Sequence, residues 1–196
     1  MTYVLAVFVA LLIPRPGIET ASDNVVINEF MAHPTASATQ HLGEYIELYN
    51  NSNGYINLSG WTISNSYGDE VVLGTYLLGP ESYYVVGTCG DLDLNGGYEA
   101  DYVCSDLEIR DHDHLRVRNA SGNLVTEVDF DSSWPIVDGE SCEFINPGWV
   151  STSASSWSTA TTTYGKGDYG TPGTQNSVYE NNFAQNSWAF IKAFVQ

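Results

Sequence analysis

Residues 25–30 read VVINEF, residues 44–50 read EYIELYN and residues 58–63 read LSGWTI. In the first two segments glutamate stands among β-branched and aromatic residues, the side chains that favour strands. The third segment contains a turn signal followed by tryptophan, at Gly60-Trp61. This composition, broken at short intervals by turn residues, predicts β-strands rather than helices in the first third of the chain.

Strand patterns continue along the rest of the chain, and no segment shows sustained helical spacing. Gly, Pro, Asn and Asp dipeptides separate the patterned segments. Residues 151–163 are rich in serine and threonine and predict a long loop. The eight predicted strands are Val25–Met31, Glu44–Tyr49, Trp61–Ser64, Glu70–Leu73, Ser82–Val86, Asp113–Arg118, Leu124–Phe130 and Cys142–Ile145. Many short strands with regular turns predict an all-β sandwich or barrel.

The segment 113–130 predicts a β-hairpin. Apolar and charged residues alternate in both of its arms, and a hairpin must pair like faces. A loop over residues 119–122, with Gly122 free to adopt positive φ, allows that pairing. The predicted pairs are Leu115–Thr126, Val117–Leu124, His114–Glu127 and His112–Asp129.

Taken in order, the motifs of this chain resemble those of the lamin tail domain. The resemblance starts with the three segments quoted above. The later motifs that carry it are LGP at 78–80, YYVV at 83–86, DHLRV at 113–117, VDF at 128–130, GES at 139–141 and GTPGTQN at 170–176. The resemblance implies an all-β fold, an immunoglobulin-like antiparallel β-sandwich. The chain has no heptad run like that of a lamin rod, so it is similar to the secreted form of the domain in bacteria or archaea.

The motif residues are interpreted as scaffolding. Trp61 would fill the space between two sheets, where an aromatic side chain buries a large area. Glu29, Glu44 and Glu47 would accept hydrogen bonds from backbone amides, which a half-buried carboxylate needs. The residues assigned to this structural motif are Asn28, Glu29, Glu44, Glu47, Asn50, Gly60, Trp61, Gly170, Pro172 and Gly173.

A different class of function is an extracellular hydrolase that uses Glu44 and Glu47 with Asp129. Against it, the sequence shows no Gly-x-Ser-x-Gly elbow, no recognisable Cys/His arrangement and no phosphate-binding glycine loop. We therefore predict a non-catalytic interaction or structural module with no catalytic residue. The resemblance implies an accessory role, since secreted lamin tail domains often stand beside nucleases and other extracellular hydrolases.

The chain is strongly acidic, with 6 Lys and Arg against 24 Asp and Glu and a net charge of -18. Such a surface repels phosphates, which argues against nucleic acid as a partner and against anionic membranes. It suits a secreted protein or one that binds Ca²⁺. We expect a protein or an extracellular polymer at the cell surface as the partner, and the sequence does not identify it.

The N-terminal residues 4–13 form an uninterrupted apolar run, too short to span a bilayer. The run matches the apolar region of a signal peptide, although residues 1–3 carry no basic side chain. We predict export to the cell surface or the medium. The predicted organisation is a signal peptide over 1–22, a lamin-tail-like β-sandwich over 23–177 and a C-terminal tail of unknown role over 178–196.

An acidic loop is the candidate calcium site. Asp91, Asp93 and Asn95 place oxygen ligands at alternate positions before a glycine, and Glu99 adds another. However, Tyr102 stands where an EF-hand has its bidentate glutamate. The alternatives are a calcium site and a solvated acidic turn. A calcium-stabilised module that binds carbohydrate or another surface is the second functional interpretation, with Tyr83 or Tyr84, Tyr164 and Tyr169 as candidate binding aromatics.

The chain has three cysteines, Cys89, Cys104 and Cys142. A disulfide is expected outside the cell. Cys89 and Cys104 flank one Gly- and Asp-rich loop and are the predicted pair. The alternative is three reduced thiols.

Overall fold

Residues 24–180 are described by a computed structural model, and they form strands with very little helix. The elements are β1 Val25–Met31, α1 Gln40–Gly43, β2 Tyr45–Asn50, β3 Ile56–Asn57, β4 Thr62–Ser64, β5 Glu70–Val72, β6 Leu77–Leu78, β7 Tyr83–Gly87, β8 Tyr102–Val103, β9 Asp113–Arg118, β10 Leu124–Phe130, β11 Cys142–Phe144 and β12 Trp157–Thr159. The predicted signal peptide over 1–22 lies outside the described residues, and so do residues 181–196 of the predicted tail.

Two sheets make up the sandwich. The larger has the strand order β12-β11-β1-β2-β7-β8, and the smaller has the order β10-β9-β4-β5. The short strands β3 and β6 pair separately. All pairs are antiparallel except β7 with β8. The predicted class, an all-β immunoglobulin-like sandwich, is confirmed, with one parallel pair at the edge of the larger sheet.

The apolar core lies between these two sheets and is rich in aromatic side chains. Phe30 of β1 stacks on Phe130 of β10, with ring centroids 4.7 Å apart. Phe144 stacks on Trp157 at 4.9 Å. Trp61, which precedes β4, is 5% exposed within the same cluster. The stacking of Phe30 on Phe130 joins the two sheets, whereas Phe144 and Trp157 pack side by side within the larger one.

A β-bulge in β1 decides which residues face the core. Ile27 pairs with Leu48 of β2, whereas Glu29 pairs with Glu47, so Asn28 is an extra residue on β1. Ile27 and Phe30 therefore both lie in the core, although they are three positions apart. An inserted residue shifts the alternation by one position. As a result, Asn28 and Glu29 both direct their side chains to the other face of the larger sheet, where they have their hydrogen-bond partners.

The predicted hairpin register is wrong by two positions. The structure pairs Val128 with Leu115 and Thr126 with Val117, and a bulge separates Thr126 from Leu124. The predicted buried and exposed faces are nevertheless retained, because a shift of two preserves the side-chain period. His114 now opposes Asp129 across the strands and reaches Glu127 diagonally, with Nε2 at 2.7 Å from Oε2.

Four strands were not predicted: β3, β6, β8 and β12. The first three have only two residues each, too few to show an alternating pattern. β12 lies inside the segment predicted as a loop. It forms because Trp157 fills the core and β11 supplies a pairing edge, two contacts that a local pattern does not contain.

Candidate functional site

Three buried glutamates lie side by side on the face of the larger sheet that points away from the core. Glu29 is the cross-strand partner of Glu143 on β11 and of Glu47 on β2. All three are 0% exposed. We call Glu143, Glu29 and Glu47 the glutamate row. Like charges placed directly opposite each other destabilise a sheet, so the row needs protons or strong donors.

The donors come from residues 170–178, which we call the strap. The strap consists of the GTPGTQN motif together with Ser177 and Val178. It covers the glutamate row. Backbone amides of Thr171, Gly173 and Val178 each donate to a different glutamate. Buried carboxylates are stable only with such partners. The strap and the row therefore form one hydrogen-bonded unit.

Glu29 at the centre of the row has the most partners. Its Oε1 accepts hydrogen bonds from the Ser141 hydroxyl at 2.6 Å and the Thr171 amide at 2.9 Å, and also from the Tyr45 hydroxyl. Burial, together with the neighbouring Glu143, raises the pKa of Glu29 to about 7. Desolvation disfavours the charged form, and the donors only partly offset it. Near neutral pH Glu29 is thus divided between its protonated and ionised forms.

Glu47 is held from two sides. The Asn28 amide donates to Oε1 at 2.7 Å, and the backbone amide of Gly173 donates to Oε2 at 2.5 Å. Asn28 also donates to Asn176 Oδ1 at 2.6 Å, and Asn176 donates in turn to the carbonyls of Asn28 and Phe144. Burial raises the pKa of Glu47 well above its ordinary value. The two asparagines therefore tie the strap to the bulge in β1.

Glu143 was not among the predicted site residues. Its Oε2 accepts from the Ser177 hydroxyl at 2.8 Å and the Val178 amide at 3.1 Å. The sequence contains a feature that could have identified Glu143. Like Glu29 and Glu47, it is a single acidic residue between two uncharged residues of a short strand. The three segments are Asn28-Glu29-Phe30, Ile46-Glu47-Leu48 and Cys142-Glu143-Phe144. A single acid inside a short apolar strand predicts a buried carboxylate with dedicated donors.

The start of the strap requires glycine. A Cβ built on Gly170 would lie 2.5 Å from the Tyr45 hydroxyl oxygen and 2.7 Å from Glu29 Oε1. Gly173 has φ of +83°, in the left-handed region that glycine tolerates. Pro172 lies between them and is half-buried. The close approach of the strap to the row therefore depends on both glycines.

Glu44 is separate from the row. It is 2% exposed, and its Oε2 accepts the backbone amide of Ile109 at 3.0 Å and contacts His41 Nδ1 at 3.2 Å. Burial raises the pKa of Glu44 to about 6, partly offset by the Ile109 amide and His41. Glu44 thus fastens the loop before β9 to the start of β2.

The carboxylates of the hydrolase hypothesis are not brought together. Glu44 and Glu47 are three residues apart in an extended segment, so they point to opposite faces. Asp129 is exposed on the smaller sheet, opposite His114. The hypothesis that these three residues form one catalytic set is therefore wrong.

Two other motif residues shape turns. Asn50 is fully buried, and its amide donates to the carbonyls of Gly54 and Gly79 at 2.8 and 2.7 Å. Its Oδ1 accepts from the Ser52 hydroxyl at 2.7 Å. Gly60 has φ of +74° at the turn that leads into Trp61. Asn50 therefore closes the turn after β2, and Gly60 sets the approach to β4.

The acidic loop is held by hydrogen bonds of its own. Asn95 is fully buried, donates to the carbonyls of Cys89 and Tyr98, and accepts the Gly97 amide. Lys166 Nζ lies 3.1 Å from Asp93 Oδ1. Asp91 and Glu99 are exposed. Within residues 24–180, no three His, Cys, Asp or Glu side chains converge as metal ligands. Calcium binding here stays a prediction, which calorimetric titration with Ca²⁺ would test.

All three cysteines are free thiols in the structure, and the Cys89–Cys104 bridge stays a prediction. The Cys89 sulfur instead accepts the Asp91 amide at 3.4 Å, at the start of the acidic loop. Cys104 packs against the main core. Cys142 is 1% exposed, and burial raises the pKa of its thiol well above its ordinary range. Cys89 and Cys104 thus have different surroundings at the ends of neighbouring strands.

Comparison with known protein families gives a match. The family model described as Lamin Tail Domain matches residues 19–132, which is more than half of the chain. A search of curated proteins found no significant match. The matched segment contains Glu29, Glu44 and Glu47, whereas Glu143 and the strap lie beyond it. In the described part of the chain no helix is long and apolar enough to cross a membrane.

Proposed function

Because this chain belongs to the lamin tail domain family, we propose that it is an exported, non-catalytic interaction module. It acts as an accessory to extracellular or cell-surface proteins. Its partner is a protein or an extracellular polymer. The family is an immunoglobulin-like domain family, and such sandwiches present their surfaces for binding on a rigid core.

One observation carries the proposal: the buried carboxylates of the glutamate row are covered rather than open. Glu29, Glu47 and Glu143 are each 0% exposed, and the strap donates to all three. A general acid or base must reach a proton of the substrate at hydrogen-bond distance. These carboxylates instead bind residues of their own chain. Perturbed pKa values also arise in structural networks, and this network has that form.

The charge of the surface restricts the partner. A net charge of -18 disfavours nucleic acid, whose phosphates require basic side chains. It leaves neutral polymers and basic protein surfaces as partners. Export is supported by the apolar run at residues 4–13, which matches a secretion signal.

The test has an activity arm and a binding arm. The purified full chain is assayed against chromogenic esters, glycosides and phosphodiesters, next to the Glu47→Gln variant. It is also tested for co-sedimentation with cellulose, chitin and peptidoglycan, and for binding to immobilised basic proteins. We expect no turnover above a heat-treated control and saturable binding to at least one of these polymers or proteins.

Turnover by the intact chain that disappears in a folded Glu47→Gln variant would overturn the proposal. Circular dichroism of both proteins establishes that the variant is folded. Export is tested by expressing the full reading frame in a bacterial host and determining the N-terminal sequence of the protein in each cell fraction. Retention of the uncleaved chain in the cytoplasm would contradict export.

A further inference from the structure

A cavity of about 180 Å³ opens beside the glutamate row, where the strap ends. Tyr49 and Tyr83 are directly opposed on β2 and β7, and their ring centroids lie 4.8 Å apart. Tyr179 follows the strap and is 39% exposed. Among residues 24–180, the lining is formed by Asn28, Tyr49, Asn51, Tyr83, Asn146, Pro147, Gly148, Gln175, Asn176 and Tyr179. Three tyrosines and several carboxamides thus surround one opening.

The walls of this cavity are fixed by the fold. Asn146 donates to the carbonyl of Glu180 at 2.8 Å and accepts the Gly148 amide at 2.8 Å. Asn176 on the floor donates to two backbone carbonyls. A cavity with a rigid floor and walls is prepared for a ligand without a large ordering cost.

The rim offers hydrogen-bonding groups that have no partner within the described part of the chain. Within residues 24–180, the hydroxyls of Tyr49, Tyr83 and Tyr179 and the carboxamide of Gln175 make no hydrogen bond. Burial raises the pKa of Tyr49 and of Tyr83 above that of a free tyrosine. Their hydroxyls therefore stay protonated and neutral in the physiological range.

We propose that this tyrosine cavity is a binding site for a neutral saccharide. Tyrosine faces pack against the C–H faces of a sugar ring, while the Gln175 carboxamide and the phenol groups pair with its hydroxyls as donors and acceptors. The inference rests on the proposed function and deepens it, since it identifies the class of polymer that the module contacts.

Other ligand classes fit the lining less well. An anionic ligand would need a cation, and among the described residues neither Lys nor Arg lines the cavity. A quaternary ammonium group binds aromatic faces, but it is held best with a carboxylate nearby, and no Asp or Glu of residues 24–180 lines the cavity. A neutral, hydroxyl-rich ring can contact both the tyrosine rings and the polar groups of this lining.

Of the tyrosines considered from sequence, only Tyr83 lines this cavity. Tyr84, the next residue on β7, is 1% exposed in the core. Tyr164 packs edge-on against Tyr45 near the row, and Tyr169 is exposed elsewhere on the surface. The candidate patch of Tyr83, Tyr164 and Tyr169 therefore does not form. The strap and β2 supply the other aromatic walls.

The experiment is calorimetric titration of the full chain with glucose, galactose, mannose, N-acetylglucosamine, cellobiose and chitobiose. Tetramethylammonium chloride and inorganic phosphate serve as charged probes. We expect saturable binding of at least one sugar. Tyr83→Ala should weaken it about tenfold, because a stacked ring is lost. Tyr83→Phe, which keeps the ring, should lose less affinity than Tyr83→Ala.

Tyr67→Ala is the matched control, because Tyr67 is 56% exposed and lies beside Arg110, outside the cavity. It should bind sugar as the unchanged chain does. The proposal is overturned if no sugar in the panel binds, if Tyr83→Ala and Tyr67→Ala bind equally, or if tetramethylammonium binds in preference to every sugar.

Failure here is distinguishable from failure of the proposed function. A chain that binds a basic protein but no sugar keeps its role as an interaction module and loses only the tyrosine cavity as a saccharide site. Turnover lost in Glu47→Gln would refute the non-catalytic role, whatever the titrations show.

Discussion

Glu29 of β1 and Glu47 of β2 are cross-strand partners, and neither side chain is exposed to solvent. Two ionised carboxylates in these positions would repel each other in a medium of low dielectric. The Thr171 hydroxyl shows how the charge is reduced. It lies 3.0 Å from Glu29 Oε2 and 2.8 Å from Glu143 Oε1. A hydroxyl donates only once, so one of these carboxyls must donate to it. Burial raises the pKa of Glu29 to about 7, so protonation of this carboxyl increases as the pH falls below neutral.

Stability should therefore rise as the pH falls from 8 to 5. The folded-state pKa of Glu29 is raised from 4.5 to about 7, and that of Glu44 is raised to about 6. Above pH 4.5 the unfolded chain loses these protons while the folded chain keeps them, so folding stability declines up to about pH 7. When the folded-state pKa of a carboxyl lies one pH unit above its unfolded-state pKa, the free energy of unfolding changes by about 1.4 kcal/mol as the pH passes from one value to the other.

Thermal unfolding followed by circular dichroism at pH 5, 6, 7 and 8 measures this dependence. The Glu29→Gln variant separates the glutamate row from general charge repulsion, since it keeps the surface and removes one titrating group. Its melting temperature should depend less on pH than that of the unchanged chain. A melting temperature that is constant or rises with pH would contradict a protonated row.

Thr171→Val should destabilise the fold by about 1–3 kcal/mol, because the change keeps the shape and removes the hydroxyl that joins Glu29 to Glu143. Urea unfolding measures the loss. Thr161→Val is the control, because Thr161 is exposed and its hydroxyl makes no hydrogen bond within the described residues. If both variants unfold at the same urea concentration, the hydroxyl does not support the row.

Gly170→Ala should cost about 1–3 kcal/mol or more, because the new methyl group would collide with Tyr45 and Glu29. The strap would have to move away from the row to admit it. Gly54→Ala is the matched control, since a Cβ there meets no atom within 4 Å. Chemical unfolding of both variants tests the contact, and equal stability of the two would refute it.

Alkylation of the native protein should label Cys89 and Cys104 and spare Cys142. The first two thiols are partly exposed, whereas Cys142 is buried and its thiol has a raised pKa. Mass spectrometry before and after unfolding counts the labels, with two expected in the native state and all three after unfolding. A native mass two daltons lower, with no label on Cys89 or Cys104, would instead establish the disulfide.

The class of fold and several strands follow from local patterns of residues. β1, β9 and β10 have the predicted bounds, because runs of strong β-formers lie between clear turn signals. The sequence also singled out Glu29, Glu44 and Glu47 as carboxylates inside strands. These features depend on the chemistry of neighbouring residues, which a sequence records directly.

The way in which these residues meet depends on contacts between distant segments of the chain. The bulge at Asn28 turns Glu29 away from the core, and pairing of β1 with β11 brings in Glu143 from a segment more than a hundred residues away. The strap reaches the row from the C-terminal side, and Tyr179 joins Tyr49 and Tyr83 at its end. Register, bulges and long-range closure are set by the packing of whole sheets, so local alternation does not specify them.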